Sequence, residues 1–195
     1  MLLAGGVLAT MVLVRERALE EATAAPARLA PVVVRGAERD HRAPAIDLRR
    51  WHRVYRFADR YDISPDLAGA IHDAAVAEGI EPELGFRLVR VESEFKERAT
   101  SPVGAVGLTQ VMPATARHFV PHVTRRQLYD RDLNLRIGFR YLRGLIKEYR
   151  SLRLALLVYN RGPVAVQHAL DQGEDPANGY ERVVLDGFQG RGTLE

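Results

Sequence analysis

The sequence contains no cysteine, which excludes disulfide bonds, thiolate metal sites and lipid attachment to an N-terminal cysteine. It also has little excess of either charge, since 28 Lys and Arg stand against 25 Asp and Glu. No nucleic-acid-binding motif accompanies this small surplus, so we expect no nucleic-acid partner. The six histidines are scattered and none belongs to an HExxH or comparable grouping, so no metal site is predicted.

The overall composition is that of an ordinary globular chain. Its 195 residues are 47% hydrophobic and 27% charged. This length allows one domain with a good hydrophobic core, together with an extension.

The N-terminal apolar run from Leu2 to Val14 is shorter than the roughly 20 residues of a membrane span. Its length fits the core of an export signal, but basic residues follow the run and none precedes it, which is the reverse of the usual order. Two interpretations stay open for residues 1–17: an export signal or membrane anchor, or a short amphipathic or disordered leader. Residues 18–46 are rich in Ala, Pro and Arg without a sustained period, which predicts a linker.

Helical patterns dominate the chain from residue 47 onward. Apolar residues recur at helical spacing after Asp47, which is placed to cap a first helix. The tripeptide Ser64-Pro65-Asp66 predicts the start of a second helix and Gly79 its end. We expect these two helices to serve as scaffold, and we expect an all-α fold.

The central stretch of the sequence runs from Glu81 to Ala116. Pro82 suits a first helical turn, and the apolar residues after it predict one buried face. Leu84, Leu88, Val91 and Phe95 form this stripe. Glu92 lies within it, so its carboxyl group is predicted to point toward apolar surroundings, which raise a pKa. A carboxyl group of this kind suits a general acid near neutral pH.

An ordered loop is predicted to follow Glu92, because Thr100, Ser101, Pro102, Gly104 and Gly107 stand too close together for a helix to continue. Pro113 then opens the next helix. Several motifs in this stretch together resemble the signature of the soluble-type lytic transglycosylases. They are Glu-Ser at residues 92–93, Ser-Pro-Val-Gly-Ala at 101–105, Gly-Leu at 107–108, Gln at 110 and Met-Pro at 112–113. This family carries a lysozyme-like domain. One departure is Thr109, where the family more often has Met.

Two later blocks resemble the same family. Asn134 and Gly138 match its second block, and Asn134 is predicted to be a buried residue that fixes a helix end. The run Leu152 to Tyr159 predicts a buried central helix that Ser151 caps, and the segment after it matches the third block. Tyr159 and Asn160 occupy family positions there, whereas Arg161 stands where Ala is usual. Tyr180 to Leu185 predicts the last helix.

The resemblance implies an all-α, lysozyme-like domain at residues 47–190 that acts on peptidoglycan glycan strands in the cell envelope. It implies Glu92 as the catalytic acid and, later in the reaction, the base. It further implies substrate-binding roles for Ser101, Gln110, Met112, Tyr159 and Asn160. For Asn160 a purely structural role is equally open. The family needs no cofactor.

A second carboxyl group is not clearly placed. The glutamate that lines the sugar groove in many relatives precedes the last helix, where Asp175-Pro176-Ala177-Asn178 stands here. Glu174, Asp175 and Glu181 are the candidates to replace it. Glu94 and Glu97 are expected to be surface charges. Two alternatives to a lytic transglycosylase remain: a hydrolysing muramidase similar to goose-type lysozyme, and a noncatalytic wall-binding or assembly module.

Overall fold

The computed structural model describes residues 47–194, so the predicted leader (1–17) and linker (18–46) lie outside the described residues. The described part is helical, and its only β-structure consists of isolated β-bridges. Its helices are α1 (Leu48–Tyr61), α2 (Pro65–Ala77), α3 (Pro82–Ser93), α4 (Pro113–Phe119), α5 (Arg131–Tyr149), α6 (Leu152–Arg161), α7 (Pro163–Asp171) and α8 (Tyr180–Leu185), with a 3₁₀ turn at Gln127–Tyr129 before α5. No helix in this range is long and apolar enough to span a membrane.

The helices begin at the capping residues and prolines that the sequence predicts. The Asp47 carboxylate accepts hydrogen bonds from the backbone amides at the start of α1, and the hydroxyl of Ser64 accepts one from the amide of Leu67 at 3.1 Å. Ser151 caps α6 in the same way. Pro82 and Pro113 open α3 and α4, where their missing N–H groups cost nothing. These predictions are confirmed.

The main hydrophobic core lies between α1, α2, α3, α5, α6 and α8, and α6 is the buried central helix predicted from the sequence. Residues 155–158 of α6 are fully buried. The rings of Phe57 and Phe86 stack with their centroids 4.1 Å apart, which joins α1 to α3. Two smaller clusters lie around α4 and the 3₁₀ turn, and between α5, α6 and α7. This core fixes α3, which carries Glu92.

The helix α3 ends earlier than its apolar stripe suggests. Glu94 and Phe95 both have positive φ angles, 51° and 62°, so the chain leaves the helix after Ser93. Phe95 still packs on the core, with its ring centroid 5.3 Å from that of Tyr61. The left-handed turn therefore ends the helix one residue after Glu92 and returns the Phe95 side chain to the apolar side.

Close packing joins the loop after α3 to α5. The side chain of Asn134 accepts a hydrogen bond from the amide of Thr109 at 2.9 Å and donates to the carbonyls of Val106 and Leu128. Asn134 is buried, as the sequence analysis predicted. A Cβ atom on Gly138 would collide with the hydroxyl of Thr109 and lie 2.5 Å from its Cβ. Gly138 thus allows the approach of the loop to α5.

The C-terminal described residues hold the start of α3. The amide of Glu81 donates to the carbonyl of Gly192 at 3.0 Å, and the amide of Leu194 donates to the carbonyl of Gly79 at 3.0 Å. The Glu81 carboxylate accepts hydrogen bonds from the amides of Arg191 and Gly192. The segment at the N-terminal end of α3 is therefore connected by hydrogen bonds to residues 191–194.

Candidate active site

The predicted site residues Glu92, Ser101, Gln110, Met112, Tyr159 and Asn160 line one cavity of about 380 Å³. Three structural elements bring them together: the end of α3, the loop 100–112 and the end of α6. The remaining lining is Val103, Ala105, Val111, Thr115, Tyr141, Arg161, Gly162 and Pro163. Among the described lining residues, Glu92 is therefore the acidic one and Arg161 the basic one, and the rest are uncharged.

The carboxyl group of Glu92 has the properties of a proton donor near neutral pH. Burial raises the pKa of Glu92 from 4.5 to about 7, although a hydrogen bond from Tyr180 lowers it in part. Burial raises this pKa because the ionised form loses its hydration. At neutral pH the protonated and ionised forms of Glu92 are therefore both well populated.

Tyr180 is the site residue that the sequence analysis missed. Its hydroxyl donates a hydrogen bond to Oε1 of Glu92. Burial and the neighbouring Glu92 together raise the pKa of Tyr180 well above 10, so this hydroxyl stays protonated as a donor. The two residues are 88 positions apart, and the sequence analysis gives Tyr180 a place in the last helix but no role in the site. No local spacing in the sequence connects it with Glu92.

Tyr159 lies in the cavity wall, but its hydroxyl does not form a hydrogen bond with Glu92. It donates instead to the carbonyl of Thr109 at 2.8 Å, and its ring centroid lies 5.3 Å from that of Tyr141. Burial, followed by the charge of Glu92, raises the pKa of Tyr159 well above 10. Tyr159 therefore holds the loop 100–112 against α6. The hydroxyl that forms a hydrogen bond with the Glu92 carboxyl group belongs to Tyr180.

The loop 100–112 is folded by its own polar side chains. The hydroxyl of Ser101 accepts a hydrogen bond from the amide of Ala105 at 3.0 Å. The side-chain amide of Gln110 donates to the carbonyl of Gly107 at 2.9 Å, and Gln110 has a φ angle of 46°. These bonds present the polar side chains of Ser101 and Gln110 to the cavity from an ordered backbone, as the sequence analysis expected of this loop.

A second segment, residues 173–179, positions Tyr180. Asn178 donates from its side-chain amide to Oδ1 of Asn160 at 2.8 Å, and its own Oδ1 accepts from the amide of Tyr180 at 3.1 Å. The guanidinium group of Arg161 donates to the carbonyl of Pro176. The end of α6 thus anchors the segment that leads into α8. Asn160 has a structural contact here in addition to its place in the cavity wall.

None of the acidic residues named as replacements for the family glutamate lines the cavity. Asp175 accepts a hydrogen bond from Arg153 at 2.8 Å, and both residues line a different cavity. Glu181 is buried, with Oε1 3.8 Å from Nε of the same arginine, and Glu174 is exposed. Glu94 and Glu97 are surface charges, as predicted: Glu94 pairs with Lys96 and Glu97 lies 3.6 Å from Arg131.

The described range offers no group of three or more His, Asp and Glu side chains suited to holding a metal ion. Proton transfer by Glu92, within a wall of tyrosines and hydrogen-bonding side chains, is the chemistry that this cavity supports.

Comparisons with known proteins agree with this fold. The crystal structure of the 70-kDa soluble lytic transglycosylase of Escherichia coli is similar to the chain, with a TM-score of 0.54 and 27% identity, over 66% of this chain and 24% of that one. The fold is therefore the all-α, lysozyme-like fold of the transglycosylase domains. Residues 69–179 match the family model described as the transglycosylase SLT domain, which covers more than half of the chain. The chain belongs to the transglycosylase SLT domain family.

Curated relatives share only this part of their length with the chain. The soluble lytic murein transglycosylase of Escherichia coli (strain K12) is 36% identical over 95 residues, which are 45% of this chain and 15% of that protein. The membrane-bound lytic murein transglycosylase C of Haemophilus influenzae (strain PittEE) is 34% identical over 122 residues, 55% of this chain and 34% of its own length. The chain thus spans between about a seventh and a third of these two relatives.

Proposed function

We propose that this protein is a peptidoglycan lytic transglycosylase that cleaves the β-1,4 bond between N-acetylmuramic acid and N-acetylglucosamine. The observation that carries the proposal is the carboxyl group of Glu92 in the cavity, with a pKa of about 7. Family membership and the names of the relatives support the same activity.

In the first step the protonated carboxyl group of Glu92 donates its proton to the glycosidic oxygen. The bond between this oxygen and the anomeric carbon of the muramic acid breaks, and positive charge develops at that carbon. The acetamido oxygen of the same sugar forms a bond to this carbon and takes up the positive charge, so no second protein carboxylate is required. Glu92 is then ionised, and the hydroxyl of Tyr180 stabilises the carboxylate through its hydrogen bond.

In the second step the Glu92 carboxylate takes the proton of the 6-hydroxyl group of the muramic acid. The 6-oxygen attacks the anomeric carbon and displaces the acetamido oxygen, which leaves a 1,6-anhydro end. No water is consumed and Glu92 regains its proton. Both steps need a group that gains and loses a proton near the working pH, which a pKa of about 7 provides.

The other lining residues hold the glycan. Ser101, Gln110 and Asn160 offer hydroxyl and amide groups to sugar hydroxyl and acetamido groups, while Met112 and Tyr159 offer apolar surface to sugar rings. A glycosidase that uses a second carboxylate places it roughly 5 to 10 Å from the first. In the cavity as lined by the described residues, Glu92 is the one acid. This favours assistance by the substrate.

The hydrolysing muramidase uses the same acid, but a water molecule takes the place of the 6-hydroxyl group. Digestion of purified sacculi, followed by mass spectrometry of the released muropeptides, distinguishes the two reactions. We expect anhydro ends, which are lighter by one water than reducing ends. Reducing ends alone would establish the hydrolase.

Two variants complete this experiment. We expect Glu92→Gln to lower the rate of cleavage by roughly a hundredfold to ten-thousandfold, the range of a lost general acid. Glu94→Gln removes an exposed carboxylate two residues away and should cleave like the wild type. Equal lysis by the wild type and Glu92→Gln would refute the assignment of the acid. Absence of lysis by the wild type would indicate the noncatalytic module.

Localisation and domain organisation follow from this substrate. We propose that residues 47–190 form the catalytic domain and that it works in the cell envelope, where residues 1–17 act as an export signal or anchor and residues 18–46 as a linker. Fractionation of cells tests this proposal. Recovery of the protein from the envelope supports it, whereas recovery from the cytosol alone, with Met1 retained, contradicts it.

A further inference from the structure

The outward face of α1 carries two stripes of side chains that the catalytic proposal does not use. Leu48, Trp51 and Tyr55 are separated by three and four residues and therefore lie on one side of the helix. They are 67%, 38% and 55% exposed. The ring centroids of Trp51 and Tyr55 lie 5.7 Å apart, so the two aromatic side chains form one patch. Contiguous exposed apolar surface of this kind is typical of interaction sites when it is rimmed by polar residues.

The second stripe is basic. Arg49, Arg53 and Arg56 are exposed, at positions that differ by four and three residues. They lie on the same outward side of the helix as the apolar stripe, with His52 and Asp59 between the two groups. Within residues 47–194 these three arginines form no ion pair and no side-chain hydrogen bond. By contrast, Arg50 binds Asp73 and Arg60 binds Glu83.

The opposite face of α1 is already occupied. Val54, Phe57 and Ala58 are buried in the main core. One acidic residue of the helix, Asp59, is exposed, so the outward face has an excess of positive charge. The helix is thus fixed to the domain by one side and presents apolar and cationic groups together on the other.

We propose that this face of α1 binds the surface of an anionic lipid bilayer. Tryptophan and tyrosine favour the boundary between lipid headgroups and acyl chains, and a leucine beside them adds apolar area. Arginines on the same outward side of the helix pair with lipid phosphates and gain from the negative potential of the membrane surface. An anionic wall polymer would use the arginines but would leave Leu48 without an apolar environment.

The sequence supplies a second reason for a bilayer. The helix α1 is the first described helix after the apolar run Leu2 to Val14, for which an export signal or an anchor is one expectation. A membrane-bound leader would keep α1 near the bilayer, where even a weak surface interaction becomes effective through its high local concentration.

Trp51 allows a direct test, because it is the only tryptophan in the chain. The full-length protein is mixed with vesicles of phosphatidylcholine and phosphatidylglycerol, or of phosphatidylcholine alone. With the anionic vesicles we expect the emission of Trp51 to shift to shorter wavelength and to be quenched by lipids labelled near the headgroup. High salt should weaken both effects, because it screens the arginines.

Two matched triple variants distinguish binding through this face of α1 from binding that depends on net charge or on the leader. Replacing Arg49, Arg53 and Arg56 together by Gln should lower partition onto anionic vesicles by roughly a hundredfold, given about tenfold or less per arginine. Replacing exposed Arg117, Arg126 and Arg191 by Gln removes the same charge elsewhere and should have a much smaller effect. Circular dichroism checks that both variants are folded.

Three results would overturn the proposal. The first is vesicle binding that leaves the Trp51 emission unchanged, since another segment would then make the contact. The second is an equal loss of binding in the two triple variants. The third is a Trp51 response to lipid-free sacculi that equals the response to anionic vesicles, which would identify a wall polymer as the ligand.

Discussion

The hydroxyl of Tyr180, the first residue of α8, donates a hydrogen bond to Oε1 of Glu92 near the end of α3. This bond and the burial of Glu92 have opposite effects. Burial favours the protonated carboxyl group, whereas the hydrogen bond favours the ionised one. Burial has the larger effect, and the result is a pKa of about 7. The pKa of the proposed catalytic acid therefore depends on a side chain from another helix.

Replacing Tyr180 by Phe should raise the pKa of Glu92 further, because the burial stays and the hydrogen bond is lost. The alkaline limb of the pH dependence of kcat/KM, where Glu92 loses its proton, should move upward by roughly one pH unit. The measurement is glycan cleavage across a pH series. Tyr55→Phe, an exposed tyrosine on α1, serves as the control and should show the wild-type profile. A limb that moves to lower pH would contradict the assignment.

Asn178 should affect the same profile through the position of Tyr180. Its side chain links Asn160 on α6 to the backbone amide of Tyr180. We expect Asn178→Ala to reduce kcat about three- to tenfold and to move the alkaline limb in the same direction as Tyr180→Phe, by a smaller amount. Asn178→Asp keeps the acceptor for the amide of Tyr180 and should lie between Ala and the wild type. A change in KM alone would indicate a direct role in binding the glycan.

The raised pKa of Glu92 has a consequence for stability. The folded protein holds this proton up to about pH 7, while the unfolded chain releases it near 4.5. The free energy of unfolding should therefore fall as the pH rises from about 4.5 to about 7, by an amount on the order of 2 to 3 kcal/mol.

Glu92→Gln removes this dependence. In urea unfolding experiments, the free energy of unfolding of the variant minus that of the wild type should increase by on the order of 2 to 3 kcal/mol from pH 4 to pH 8. The exposed Glu94→Gln variant should show no comparable gain. If the difference between Glu92→Gln and the wild type is the same at both pH values, the carboxyl group does not ionise in the manner described.

Local signals in the sequence were sufficient for the helices. Capping residues and prolines act on the backbone within one turn, so Ser64, Pro82, Pro113 and Ser151 predicted where helices begin. The end of α3 was less predictable, because the apolar stripe continues to Phe95 through residues that are no longer helical. Periodicity reports which side chains meet the core, but it does not report a left-handed turn.

The candidate site was only partly predictable for a related reason. The family motifs placed Glu92, Gln110 and Tyr159, and these residues do line one cavity. Which tyrosine contacts the acid depends on how α8 packs against α3, and this is a tertiary contact without a local pattern. Tyr159 occupies a motif position, and its hydroxyl donates to the loop carbonyl of Thr109.

Gly138 provides a test of the packing that supports the cavity. An added methyl group would collide with buried Thr109, so Gly138→Ala should lower the free energy of unfolding by about 1 to 3 kcal/mol despite the better helix propensity of Ala. Gly144 lies on the same helix with no atom within 4 Å of such a methyl group. Gly144→Ala should therefore leave stability unchanged or raise it by up to about 1 kcal/mol. Equal effects of the two substitutions would contradict close packing at Gly138.

The most direct measurement is a titration of the Glu92 carboxyl group itself. Glutamate labelled with ¹³C at the side-chain carboxyl carbon can be followed by NMR as the pH is varied, and the signal that disappears in Glu92→Gln identifies the residue. We predict an apparent pKa of about 7 for this carboxyl group. A pKa near the ordinary value of 4.5 would contradict the assignment of Glu92 as the acid, because Glu92 would then be ionised at neutral pH and unable to act as the proton donor.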